Sequence, residues 1–155
     1  MYAPALDSEL TPSMEEALRL AEVAGRLGNV PVGAVAIHEG RIIGRASNLR
    51  ETLQDPTAHA EILVLREAAR VLGTWRLEEV TLVVTLEPCA MCAGAIAHSR
   101  VGRLVYGTPE PRSGAVHSTV KLLENRDIEI EGGLLGGRCA AMMTEFFETL
   151  RLKEA

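Results

Sequence analysis

The segment Val80-Thr-Leu-Val-Val-Thr-Leu-Glu-Pro-Cys-Ala-Met-Cys92 decides the fold. Its first part, Val80 to Leu86, is a continuous apolar, β-branched run, the pattern of a central strand buried on both faces. Glu87 and Pro88 end the run, and the pattern beyond them predicts a helix from Cys89 to Ser99 with Pro88 at its entrance. A buried strand feeding a helix is the repeating step of an α/β sheet, and such sheets bind ligands beyond the carboxyl ends of their strands. Cys89 and Cys92 stand at that place. Unpaired N–H groups and the helix dipole favour thiolates there, and the thiolate is the form that binds a metal.

Upstream lies His59-Ala60-Glu61, so the two stretches together read His-x-Glu, a spacer of 26 residues, then Pro-Cys-x-x-Cys. His59, Cys89 and Cys92 supply three of the four ligands of a tetrahedral zinc ion, and an open fourth position marks a catalytic centre. Glu61 is then the proton carrier. The spacing places His59, Ala60 and Glu61 in the first turn of a helix, with His59 and Glu61 roughly 200° apart around its axis. They cannot chelate one ion as an i, i+4 pair does; one binds the metal while the other reaches the substrate. Zinc lowers the pKa of a bound water to about 7, which makes hydroxide available for attack on an amidine-type carbon such as C6 of adenine or C4 of cytosine. Glu61 would carry protons from the water to the ring nitrogen and the departing amine. The competing reading is a closed structural site with Cys139 as fourth ligand.

Outward from these motifs the chain alternates. Ser13-Met-Glu-Glu16 has capping-box spacing behind Pro12 and predicts a helix start near residue 13. Met14, Ala17, Leu18, Ala21 and Ala24 mark its buried face, and Gly28-Asn29 its stop. Val30 to Ile37 and Ile42 to Asn48 read as a hairpin turning through His38-Glu-Gly-Arg41, with His38 exposed beside the turn. Glu51 to Thr57 is a polar loop, and Ile62, Leu65, Ala69 and Leu72 form the apolar face of the next helix, which Gly73 ends. After the Cys helix come a strand at Arg103 to Gly107, an irregular loop at Thr108 to Ser118 of the kind that shapes the mouth of a site, and a short strand at Asp127 to Glu131. Cys139, Met142, Met143, Phe146 and Leu150 mark a last amphipathic helix. The order predicts one α/β domain over residues 1–155, three-layer α/β/α, with a mixed sheet of about five strands and a parallel, right-handed β-α-β-α-β middle.

Composition excludes several classes. At 47% hydrophobic and 24% charged, the chain reads as an ordinary soluble domain. No apolar run nears the roughly 20 residues of a membrane span. Met1 to Leu10 has no basic or apolar signal pattern, so a cytoplasmic location is expected. Three cysteines, an odd number, argue against a disulfide framework and for a reducing compartment. The net charge of −5 argues against a general nucleic-acid binder. Residues 88–121, however, hold Arg100, Arg103, Arg112 and Lys121 against Glu110 alone, so a basic stretch begins at the metal motif.

The zinc pattern is the general signature of base deaminases, tRNA adenosine deaminases among them. Val30-Pro-Val-Gly-Ala-Val35, Asn48, Asp55-Pro-Thr-Ala-His-Ala-Glu-Ile62, Thr85-Leu-Glu-Pro-Cys-Ala-Met-Cys92 and Ala93-Gly-Ala-Ile-Ala-His-Ser-Arg100 resemble the bacterial tRNA adenosine deaminase family more specifically, from about residue 12 to the last helix. The resemblance implies a cytidine-deaminase-like fold, one Zn2+ per subunit and a homodimer with sites near the subunit interface. It implies hydrolytic conversion of the wobble adenosine of a tRNA anticodon stem-loop to inosine, with the base flipped out. Asn48 stands where the family's Asn hydrogen-bonds that base, and Val30 and Ala60 are substrate-binding positions on the same basis. Glu110 and Arg112 stand near the family's usual Asp and Lys, keeping the charges but not the side-chain lengths; backbone and ribose contacts are implied there. The tail from Phe146 to Lys153 is less basic than the family's arginine-rich one, which lowers the counterion-release contribution to RNA affinity. Two other readings stand beside this one: a deaminase of a free nucleobase or nucleoside of guanine or cytosine type, and an inactive, zinc-stabilised partner subunit.

Overall fold

In the computed structural model, which describes residues 4–154, the chain forms α1 (Pro4–Arg26), β1 (Gly33–His38), β2 (Arg41–Ser47), α2 (Arg50–Leu53), α3 (Ala60–Leu72), β3 (Val80–Leu86), α4 (Ala90–His98), β4 (Arg103–Thr108), β5 (Glu129–Gly132) and α5 (Gly136–Glu154). The strands make one mixed sheet in the order β2-β1-β3-β4-β5, with β3 at its centre as its apolar run requires. β1 pairs antiparallel with both β2 and β3, while β3, β4 and β5 are mutually parallel.

Strand alternation splits the core into two layers. Ala34, Ala36, Leu82, Val84, Leu104 and Tyr106 face Val64 and Ala68 of α3 and Ala93 and Ile96 of α4. The alternate residues Val35, Val83 and Val105 face Met14, Ala17 and Leu18 of α1 and Cys139 of α5. The result is the expected α/β/α sandwich. Glu39 and Gly40 both have positive φ, the two-residue turn whose twist matches a hairpin. Close packing of α1 on β1 depends on Gly33, where a Cβ would overlap the Ala17 carbonyl oxygen and the Ala21 nitrogen.

Two expectations need correction, and two more are sharpened. The first helix does not begin at Ser13 but runs from Pro4 through Pro12. Leu10, one turn ahead of Met14, is buried, so core packing carries the helix across a proline that costs it one hydrogen bond. His38 ends β1 and is half-buried beside Glu79, 3.6 Å away, because the turn itself is made by Glu39 and Gly40. The strands of the β-α-β-α-β middle do run in one direction, but β1 lies between β2 and β3, since a tight hairpin must lay β1 beside β2. Finally, of the last helix's apolar face only Cys139 is buried; Met142, Met143 and Phe146 are half-buried and Leu150 is exposed. At 19 residues, α5 outruns the 6-residue β4 beneath it.

Candidate metal centre and its pocket

Four chain segments end at one edge of the sheet: the start of β1, the end of β2, the N-terminus of α3, and the step from β3 into α4. Antiparallel β1 brings its start to the edge where β2 and β3 finish. Asp55 shapes the approach to α3 by accepting hydrogen bonds from the Thr57 backbone and hydroxyl. His59 then takes the N-cap position of α3 in extended backbone, and Cys89 does the same for α4. Neither is inside a first turn. As cap residues their side chains project past the helix ends and meet. The His59 Nδ1 lies 3.6 Å from Cys89 Sγ and 3.5 Å from Cys92 Sγ.

His59, Cys89 and Cys92 form a group of donors that could hold a metal ion, all within 4.8 Å of one another. The thiols are not equivalent. Cys89 is held down at about 4, chiefly by the hydrogen bond from Cys92 and then by His59, against the effect of burial. Cys92 is pushed up by the adjacent Cys89 and by burial. One negative charge is thus shared by the pair, and coordination to a cation would deprotonate both. His59 is pushed up, chiefly by its hydrogen bond with Cys89.

Glu61 is buried, and burial pushes its carboxyl up to about 7. It lines a cavity of about 120 Å³ with Val30, Asn48, Ala60, His59 and Cys89. Such a space is small beside the roughly 300–1,000 Å³ of pockets for drug-sized ligands, and suits a single ring system. Asn48 is fixed at the rim: its Nδ2 donates to the Val30 carbonyl at 3.1 Å and its Oδ1 accepts from the Arg50 N–H at 3.1 Å. Glu110 and Arg112 are not in this cavity. They line a neighbouring cleft with Met143, Phe147 and Arg151 of α5. Cys139 is not a fourth donor. It lies on the opposite face of the sheet, among Val83 and Val105, which removes the closed-site reading.

Three side chains at the site were missed in the sequence. Arg50 lines the cavity, and nothing in its polar loop sets it apart. Asn29, fully buried, accepts from the Glu51 and Thr52 N–H groups and donates to the Thr52 hydroxyl, which positions α2. Glu87, also buried, accepts five hydrogen bonds from residues 110–118. Burial pushes this carboxyl up, but the Ser118 hydroxyl and the N–H groups of His117, Ser118 and Glu110 outweigh it and hold Glu87 at about 2. A carboxylate directly after a buried strand was the available signal.

Residues 9–151 match the family model of MafB19-like deaminases. The chain is 48% identical over 145 residues to the tRNA-specific adenosine deaminase of Bacillus subtilis, covering 91% of this chain and 90% of that protein. A solved structure from a study of A-to-I editing by tRNA:A34 deaminases is 44% identical, with a TM-score of 0.80, and matches over 83% of this chain and 96% of its own. The guanine deaminase of Nitrosomonas europaea has a TM-score of 0.79 but only 26% identity, over 94% of this chain and 85% of its own.

Proposed function

The chain belongs to the tRNA-specific adenosine deaminases, and from that premise we propose that it hydrolyses the wobble adenosine of a tRNA anticodon to inosine at a zinc centre held by His59, Cys89 and Cys92. One observation carries the reading: three donors stand at the spacing of a tetrahedral ion, and two of them, His59 and Cys89, line a cavity together with the buried carboxyl of Glu61. Zinc–sulfur bonds of about 2.3 Å and zinc–nitrogen bonds of about 2.0–2.1 Å at a tetrahedral angle put sulfur and nitrogen about 3.5 Å apart. The two separations here are 3.6 and 3.5 Å. When bound, zinc supplies Lewis acidity, so that hydroxide is available from water near neutral pH.

The chain's own residues do the rest. Glu61 takes a proton from the attacking water as its oxygen adds to C6, and delivers that proton to N1. It then takes the proton of the new C6 hydroxyl and passes it to the amine, so the C6–N bond breaks, ammonia leaves and the C6 carbonyl of inosine remains. A carboxyl held near neutral by burial can do both jobs, and a nearby cation lowers its pKa toward the carboxylate that starts the cycle. Asn48, with its amide clamped by Val30 and Arg50, keeps one N–H and one lone pair for the base. Val30 and Ala60 wall the base, while Glu110 and Arg112 in the outer cleft meet the flanking backbone and ribose.

A second copy completes the reading as a cytoplasmic homodimer. Half-buried Ile62 and Ala69 of α3 and Ala95 of α4 form an apolar surface with the exposed Trp75 that follows α3, and among the described residues no helix is long and apolar enough to cross a membrane. The test is inosine formation on an anticodon stem-loop, run against free adenosine, guanine and cytosine. Turnover of the stem-loop with none of the free compounds is expected. Turnover of free guanine or cytosine alone would replace the tRNA reading, and full metal loading without turnover would favour an inactive partner subunit.

A further inference from the structure

The loop between Pro109 and Ser118 has no helix or strand of its own, yet it is held by one buried side chain from across the sheet edge. The Glu87 Oε2 accepts from the N–H groups of Val116 at 3.1 Å, His117 at 2.9 Å and Ser118 at 3.0 Å. Its Oε1 accepts from the Glu110 N–H at 3.0 Å and the Ser118 hydroxyl at 2.5 Å. The backbone on either side of the carboxylate is tied in as well: the Glu87 N–H donates to the Thr108 carbonyl, and the Ala115 N–H to the Pro88 carbonyl. Gly114 lies against the carboxyl group, and a methyl there would run into it.

Both walls of the site pass through this knot. Ser113 of the loop lines the inner cavity with His59 and Cys89, while Glu110 and Arg112 line the outer cleft with α5. The segment Glu87-Pro88-Cys89 ends in a metal donor. A buried carboxylate with all its lone-pair sites engaged fixes the donors around it, since an unpaired buried N–H is costly.

We propose that Glu87 is a positioning residue that sets the loop of residues 109–118 as the mouth of the site, and so governs substrate capture and not the chemical step. The inference rests on the tRNA reading above for its substrate. It differs from a merely structural role because loss of the knot moves KM and leaves kcat and metal content in place.

The experiment compares the zinc-loaded wild type with Glu87→Gln and Ser118→Ala. An amide has a single acceptor oxygen. If it serves the three N–H groups of residues 116–118, its NH2 group faces the Glu110 N–H. Amide hydrogen exchange at Glu110 and residues 116–118 should accelerate in Glu87→Gln by about tenfold or more, the size expected for one charge-assisted hydrogen bond. KM for an anticodon stem-loop should rise about tenfold while kcat stays within about threefold, the pattern of lost uniform binding. Ser118→Ala removes one bond, should move both readouts the same way by less, and decides the matter if Glu87→Gln does not fold. Unchanged exchange, a fall in kcat at constant KM, or faster exchange with KM unmoved would overturn the inference. If the wild type does not turn over the stem-loop, the tRNA reading falls while hydrogen exchange still decides what holds the loop.

Discussion

Acid should unfold this protein partly through Glu87, and the effect can be isolated. The carboxyl is held at about 2, against 4.5 for an ordinary glutamate. A group with its folded pKa depressed binds protons more readily when unfolded. Its contribution is therefore fully present above about pH 4.5 and is lost as pH falls toward about 2. The difference corresponds to about 3 kcal/mol in all, of which about 1 kcal/mol is gone by about pH 3.5. Full burial of the side chain means little of this is screened by solvent. Urea unfolding followed by circular dichroism, for wild type and Glu87→Gln from neutral pH down to about 3.5, reads it directly. Metal release and the titration of other groups act on both proteins and cancel in the difference. That difference should be flat near neutral pH and shrink by about 1 kcal/mol at the acid end. A difference constant throughout, or one that grows in acid, would refute the assignment of five hydrogen bonds to an ionised Glu87.

Three further outcomes follow from the same geometry. Glu61→Gln should retain metal, measured by elemental analysis, and lose about 10²–10⁴-fold in kcat, the usual contribution of acid–base transfer; a variant within threefold of wild type would remove Glu61 from the mechanism. Cys89→Ser should lower metal stoichiometry, and chelation of the wild type should abolish turnover until zinc is restored; unaltered metal content in the variant would displace Cys89 from the ligand set. Gly33→Ala forces a methyl onto the Ala17 carbonyl oxygen and should cost about 1–3 kcal/mol in denaturant unfolding; no loss of stability would contradict the close packing of α1 on β1.

What could be read from the sequence was local. Val80 to Leu86 announced a central strand because burial on both faces leaves no charged position in the run, only β-branched and leucine side chains. His59, Cys89 and Cys92 announced a metal site because few donor sets combine those chemistries beside a helix start. Non-local features stayed hidden. Pro12 and Ser13 carried a strong local signal for a helix start, and burial of Leu10 and Met14 overrode it. Glu87 had no visible role because its partners lie 23 to 31 residues away, in a loop with no periodicity. The separation of Cys139 from the site rests on which face Val105 presents, which depends on the sheet's register. The same holds for β1, whose place between β2 and β3 is a matter of pairing.

The central claim is that the donors at His59, Cys89 and Cys92 and the carboxyl of Glu61 act together on one adenosine. Inosine pairs as guanosine does, so reverse transcription across an anticodon stem-loop reports deamination base by base. With zinc-loaded protein, conversion should appear at the wobble position, spare other loop adenosines, and vanish with Glu61→Gln. Conversion spread evenly over the loop's adenosines, or none at full zinc occupancy, would contradict the account.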